Sequence, residues 1–110
     1  MSSPGFSKTK RSLPIALLRA REQVMVPIRS MLAQSGVTEQ KWRVLRVLEE
    51  LGEVEPTLIA SEACLHLPSL SRILKSMEAD GLILRHEDAK DRRKSVVAIT
   101  ATGQKILSDH

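Results

Sequence analysis

Residues Lys90 to Lys94 carry four cations, Lys90, Arg92, Arg93 and Lys94, around one carboxylate, Asp91. That density exceeds what a plain solvated turn needs. An arginine on a loop tip suits a narrow minor groove of DNA, where negative potential is concentrated. Asp91 is better placed to orient one of those arginines through a charge-assisted hydrogen bond than to touch DNA. A second group spans Pro68–Ala79. Leu70, Ile73, Leu74 and Met77 fall on one helical face, at i, i+3, i+4 and i+7. Ser69, Arg72, Lys75, Ser76 and Ala79 fall on the opposite side. Its short side chains permit close approach to a major groove, and Arg72 and Lys75 can reach bases or phosphates. Read alone, this face fits an ordinary solvated helix surface equally well. The cationic tip downstream favours the nucleic-acid reading.

Other chemistry finds little support. His66, His86 and His110 are scattered without metal-ligand spacing, so no metal site is expected. There is no Ser-His-Asp arrangement and no Gly-rich phosphate loop, so no catalytic residue and no cofactor are expected. Cys64 stands alone, which excludes a disulfide framework or a multi-Cys zinc site within one chain. It reads as a buried structural cysteine rather than a redox sensor.

The elements that must position these groups follow from composition and period. The chain has 110 residues, 42% of them hydrophobic, enough for one domain with a real core. Aromatics are 2%, too few for a stacking platform for single-stranded nucleic acid. The net charge of +4 is compatible with a phosphate-rich partner without proving one. No apolar run is long enough for a membrane span, and charges at Arg19, Arg21 and Glu22 break any signal-peptide pattern. A cytoplasmic protein is the expectation.

Residues 1–12 read as a flexible basic arm. From Leu13 the steps Leu17, Ala20, Val24, Ile28 and Met31 give one amphipathic stripe. Pro27 should kink or interrupt that helix, and Gly36 closes it. Thr38 offers an N-cap for a second helix through Trp42, Val44, Leu45, Leu48 and Leu51. Pro56 starts a short third helix with Leu58, Ile59 and Ala63 inward. Pro68 starts the fourth, which Gly81 stops. Leu82–His86 and Ser95–Thr100 read as a hairpin around Glu87–Lys94. Thr100 caps a last helix. The fold class is mainly α (α+β), a winged helix-turn-helix: four helices, a β-hairpin wing and the start of a fifth helix.

At this point motifs become recognisable. Asp91-Arg92-Arg93, then an apolar strand and Ile99-Thr100-x-x-Gly103, resembles the D-x-R…L-T-x-x-G signature of MarR-type winged-helix regulators. Pro68–Leu74 is similar to the family's recognition helix, and Met77–Ile83 to its exit into the wing. In the first half, Ile15–Glu22 and Gly36–Arg46 resemble the subgroup that regulates homoprotocatechuate (4-hydroxyphenylacetate) degradation operons. The resemblance implies a homodimeric repressor on a pseudo-palindromic double-stranded DNA operator, released by a small aromatic acid. It implies Ser69, Ser71, Arg72 and Lys75 in the major groove, Arg93 in the minor groove, Arg92 and Lys94 on phosphates, and Asp91 bracing the wing. It divides the chain into an N-terminal dimerisation helix (13–35), a DNA-binding domain (36–100) and the start of a truncated C-terminal dimerisation helix (101–110). In such proteins the effector sits between the dimer helices and the DNA-binding lobe, which makes Arg21, Trp42, Arg43, Arg46 and Arg85 the candidates, Arg21 and Trp42 first. A guanidinium holds a carboxylate through two parallel bonds and an indole covers an aromatic ring. The plainer alternatives are a core Trp42 and surface ion pairs with Glu22, Glu49 or Glu50. A winged-helix module that binds protein is the competing function; it should lack the arginine cluster.

Overall fold

Helix-start and helix-stop signals alternate along the chain and set its elements. The computed structural model describes residues 4–109, with side chains from residue 12 onward. Helix α1 runs Pro4–Gln34. Proline is favoured at a first helical position because its missing N–H would have no intrahelical partner there. The helix therefore begins within the stretch read as an arm; residues 1–3 of that stretch lie outside the described residues. It also continues through Pro27. The lost donor leaves one carbonyl, that of exposed Gln23, without its usual partner and open to water. The stop comes at Gly36, φ 69°, where the Val37 N–H reaches the Leu32 carbonyl at 3.2 Å. Along α1, Leu13, Leu17 and Val24 are exposed while Leu32 is fully buried.

Helix α2 runs Glu39–Leu51, and Thr38 Oγ1 accepts the Lys41 N–H at its start. Val44, Leu45, Val47 and Leu48 are buried, and Trp42 packs half-buried against them. Leu51 was expected on that face but is exposed, because the chain turns away at Gly52. Helix α3 runs Pro56–Glu62. Ile59, Ala60 and Ala63 take its buried side, and Leu58, expected inward, is exposed. One residue is a rotation of about 100°, so a helix this short presents only one narrow face to the core. At its end Cys64 adopts φ 56°, and the Leu65 N–H reaches back to the Ala60 carbonyl at 2.9 Å. This left-handed cap turns Cys64 outward. The cysteine is exposed, not buried as expected.

Helix α4 runs Leu67–Ala79 and buries Leu70, Leu74 and Met77. Gly81, φ 74°, ends it, with the Leu82 N–H on the Met77 carbonyl at 2.9 Å. Strands β1 (Ile83–Glu87) and β2 (Ser95–Ile99) pair antiparallel, with Arg85 opposite Val97. Val54 adds a third rung: its N–H and C=O both bond Val97, at 3.3 and 2.8 Å. That pairing ties the link between α2 and α3 to the hairpin. Helix α5 (Ala101–Asp109) docks on α2. Leu45, Ile59, Leu70, Met77, Ile83 and Val97 are among the fully buried side chains where these elements meet, each contributing about 1.5–3 kcal/mol relative to exposure.

Candidate nucleic-acid interface

The outer face of α4 presents Ser71, Arg72 and Lys75 exposed and Ser69 half-exposed. The apolar period that sinks Leu70, Leu74 and Met77 into the core dictates this. Among the described residues neither Arg72 nor Lys75 has a salt-bridge partner, so both charges are available.

The tip of the hairpin is ordered by its own side chains. Asp91 Oδ1 accepts the Arg93 N–H at 3.0 Å, and Arg93 Nε lies 3.4 Å from the same oxygen. Asp88 Oδ1 accepts the Lys90 N–H at 2.9 Å, while the Asp88 and Lys94 N–H groups close the loop on the Lys94 and Asp91 carbonyls at 3.0 Å. These bonds leave the Arg93 side chain 92% exposed with its base fixed. Arg92 is exposed beside it. Lys94 Nζ lies 3.4 Å from Glu55 Oε1, at the start of α3.

Between α4 and the wing lies a cleft of about 350 Å³, walled by Leu67, Ser71 and Leu74 on one side, by Arg93 and Lys94 on the other, and by Glu55 and Thr57 at one end. Arg85 lines it. Arg85 thus lies apart from the other effector candidates, which line a separate cleft. In a strand, alternate residues share a face, so Arg85 points to the same side as buried Ile83 and lands against α4. Its nearest carboxylate oxygen is Glu78 Oε1, at 3.8 Å. That is too long for a hydrogen bond, and the buried Arg85 Nε has no hydrogen-bond partner.

Arg21, Trp42, Arg43 and Arg46 line one cleft of about 380 Å³ between α1, α2 and the end of α3, with Met25 and Cys64 in its wall. Its arginines are already engaged. Glu39 is the hub, its side chain only 11% exposed. It pairs with Arg21, with Arg29 Nη1 at 3.0 Å, and with Arg43 Nε at 3.6 Å. Arg43 Nη1 also donates to the Ala63 carbonyl at 2.8 Å. Arg46 lies 5.9 Å from the Trp42 ring centroid and pairs with Glu49 at 2.9 Å. Arg21 also pairs with Glu22 at 3.4 Å.

Two residues escaped the sequence reading as positioning groups. Thr100 was read as a cap, and its Oγ1 does accept the Gly103 N–H at 3.1 Å, but it also donates to the Gly81 carbonyl at 2.6 Å. It thereby locks α5 to the turn that ends α4. His86 Nε2 lies 3.2 Å from Glu53 Oε1, a strut between β1 and the link after α2. Its hydrogen bond to the Glu87 carbonyl, and then Glu53, raise its pKa above the ordinary 6.5. Among the described residues no group of His, Cys, Asp and Glu could hold a metal ion, and no helix is long and apolar enough to cross a membrane.

Two short helices joined by a tight turn, followed by a two-stranded hairpin, define a winged helix-turn-helix protein. The chain belongs to the MarR family, whose profile matches residues 37–95. It is 42% identical over 97 residues to the homoprotocatechuate degradative operon repressor of Escherichia coli, a match covering 88% of this chain and 66% of that protein. The chain thus spans just under two thirds of the length of that relative. Among solved structures, NadR in complex with 4-hydroxyphenylacetate superposes with a TM-score of 0.82 at 36% identity, over 88% of this chain and 69% of that one. A mutant of S. aureus MepR bound to an oligodeoxyribonucleotide superposes with a TM-score of 0.73 at 25% identity, over 86% and 70%. The family and its curated relatives are regulators of transcription, not enzymes.

Proposed function

We propose that this chain is a sequence-specific double-stranded DNA-binding protein that represses an aromatic-acid catabolic operon. The observation that carries the DNA-binding part is the pairing of an exposed basic α4 face with an arginine held outward on a braced wing. Ser69, Ser71, Arg72 and Lys75 would meet the major groove. Arg93, oriented by Asp91, would enter the minor groove, with Arg92 and Lys94 on phosphates. A pseudo-palindromic operator requires two such units at a fixed spacing. The exposed apolar residues of α1 support residues 13–35 as the dimerisation helix, and dimers are usual in the family.

The effector in this reading is a phenolic or aromatic carboxylate bound in the cleft of Arg21, Trp42, Arg43 and Arg46. The likeness to the homoprotocatechuate repressor and to NadR with 4-hydroxyphenylacetate supports that class. So does the cleft chemistry, in which Arg46 stands over an indole at one edge of a cavity large enough for a single ring. The site of action is the cytoplasm, where the operator is.

The wing assignment is tested by a salt titration of DNA affinity. Arg93→Ala should weaken binding to specific and random duplexes alike and lower the salt slope by roughly one. An unchanged affinity and slope would remove Arg93 from the interface.

A further inference from the structure

The recognition helix and the wing address different grooves. In B-DNA a major groove and the adjacent minor groove are separated by one sugar-phosphate backbone. A protein that places one element in each must straddle that backbone, so whatever lies between the two elements faces phosphates. Here that space is the cleft between α4 and the hairpin, with Arg85 among its lining residues.

We infer that this cleft seats a backbone phosphate of double-stranded DNA and that Arg85 is the residue that holds it, an inference that rests on the DNA-binding reading above. Four observations support it. The cleft carries three cations, Arg85, Arg93 and Lys94, against one lining carboxylate, Glu55, and Glu55 is already spent on Lys94 at 3.4 Å. Arg85 itself lacks a matching partner: Glu78 is 3.8 Å away and Nε is buried without a hydrogen bond. A guanidinium offers a planar fork of donors that fits a phosphate with two parallel bonds. Its backbone is rigid, since Arg85 sits opposite Val97, which Val54 grips from the far side. The hydroxyls of Ser71 and Thr57 line the same cleft and can donate to the remaining phosphate oxygens.

The assignment differs in kind from that of Arg72. A phosphate contact carries no sequence information, so Arg85 contributes equally on every duplex. It sets how deep the protein sits, and so whether α4 and Arg93 reach their grooves together.

The test is fluorescence anisotropy of the whole chain with a fluorescein-labelled random-sequence duplex, titrated between about 50 and 200 mM salt. Circular dichroism melting checks the fold of each variant. Arg85→Gln should lower the salt slope by about 0.9, so that over this range it loses about three- to four-fold less affinity than the unaltered chain. Arg85→Lys should keep the slope and bind less tightly, because the charge remains and the fork is lost. Glu78→Gln, which frees Arg85 from its one nearby carboxylate, should tighten binding. Loss of one carboxylate tightens DNA binding by charge alone, so this arm is read from the part of the Glu78→Gln gain that disappears when Arg85 is also replaced by Gln or, should that unfold, by Met. An unaltered slope in a folded Arg85→Gln, weaker binding by Glu78→Gln, or an equal Glu78→Gln gain in both backgrounds overturns the phosphate assignment while leaving the DNA-binding reading intact. Failure of the unaltered chain to bind the duplex at the low-salt end overturns both.

Discussion

Gly103→Ala should destabilise this protein, although in an isolated helix the same change would stabilise it. Alanine is the better helix former by about 1 kcal/mol, and Gly103 lies inside α5. The tertiary setting reverses the sign. A Cβ built on Gly103 would stand 2.5 Å from the Leu82 carbonyl oxygen, 2.8 Å from Ile99 Cγ1 and 3.1 Å from Leu45 Cδ2. Favourable carbon contacts begin near 3.5 Å. The closest atom is backbone and already accepts the Thr100 N–H at 3.1 Å, so it cannot retreat without breaking the start of α5. Overpacking of this kind costs about 1–3 kcal/mol. Taking the upper part of that range for a backbone clash, and subtracting the helix gain of about 1 kcal/mol, leaves a net loss of about 2 kcal/mol. At about 4 °C per kcal/mol the thermal midpoint should fall by about 8 °C. Thermal and urea unfolding at one fixed protein concentration read it, with exposed Lys105→Ala as the control on the same helix. A midpoint equal to or above that of the unaltered chain would refute the docking of α5 against Leu82 and Leu45.

Three further outcomes are expected. Asp91→Asn raises the net positive charge by one, so simple electrostatics predicts tighter DNA binding; if Asp91 acts by bracing Arg93, binding weakens instead, about fivefold for a hydrogen bond of ~1 kcal/mol, as anisotropy with a labelled duplex would show. The raised pKa of His86 means that its strut to Glu53 contributes fully below the unfolded value near 6.5 and is lost as pH rises through the folded value. The thermal midpoint of the unaltered chain should therefore exceed that of His86→Gln at pH about 6 and converge with it at pH about 8; a difference that grows with pH contradicts this. Trp42→Ala and Arg46→Ala should each abolish calorimetric heat with 4-hydroxyphenylacetate while leaving duplex affinity unchanged; retained binding at millimolar concentration in both would empty that cleft of its proposed role.

The helices were legible because each carries a 3.6-residue apolar period between strong punctuation: Thr38 and Gly52 around α2, Pro68 and Gly81 around α4. The charged tip was legible because its composition is extreme. Most of what the sequence did not show depended on contacts that no local pattern encodes. Cys64 looked buried because cysteines usually are, yet the left-handed cap at the end of α3 turns it out. Leu58 looked buried because leucines usually are, and a two-turn helix has room for only one inward face. Arg85 was grouped with Arg43 and Arg46 by chemistry alone. The alternation from Ile83 through Leu84 to Arg85 carried the signal that it faces α4, and applying the strand period there would have found it. Gly103 could be recognised as part of a motif, but its reason lies in Leu82, Ile99 and Leu45, distant in sequence and adjacent in space.

The two clefts share one element. Glu55, just before α3, holds Lys94 of the wing. The other end of α3 is held through the Ala63 carbonyl, which accepts from Arg43 at 2.8 Å. Arg43 lines the cleft assigned to the effector. A ligand alters DNA affinity only to the extent that it binds two states of the protein unequally, and the effect is the same in both directions. A ligand carboxylate that takes the Arg43 guanidinium competes with Ala63 and Glu39 for it, so its binding energy and the seating of α3 are not independent. The arithmetic is modest, since a coupling of 1–3 kcal/mol is typical of allosteric proteins. Loss of one hydrogen bond to a charged group is worth about 1.5–3 kcal/mol, the same scale. The chain therefore needs no large rearrangement for an acid in one cleft to weaken a phosphate grip in the other. A contest for one guanidinium at the end of a seven-residue helix is large enough.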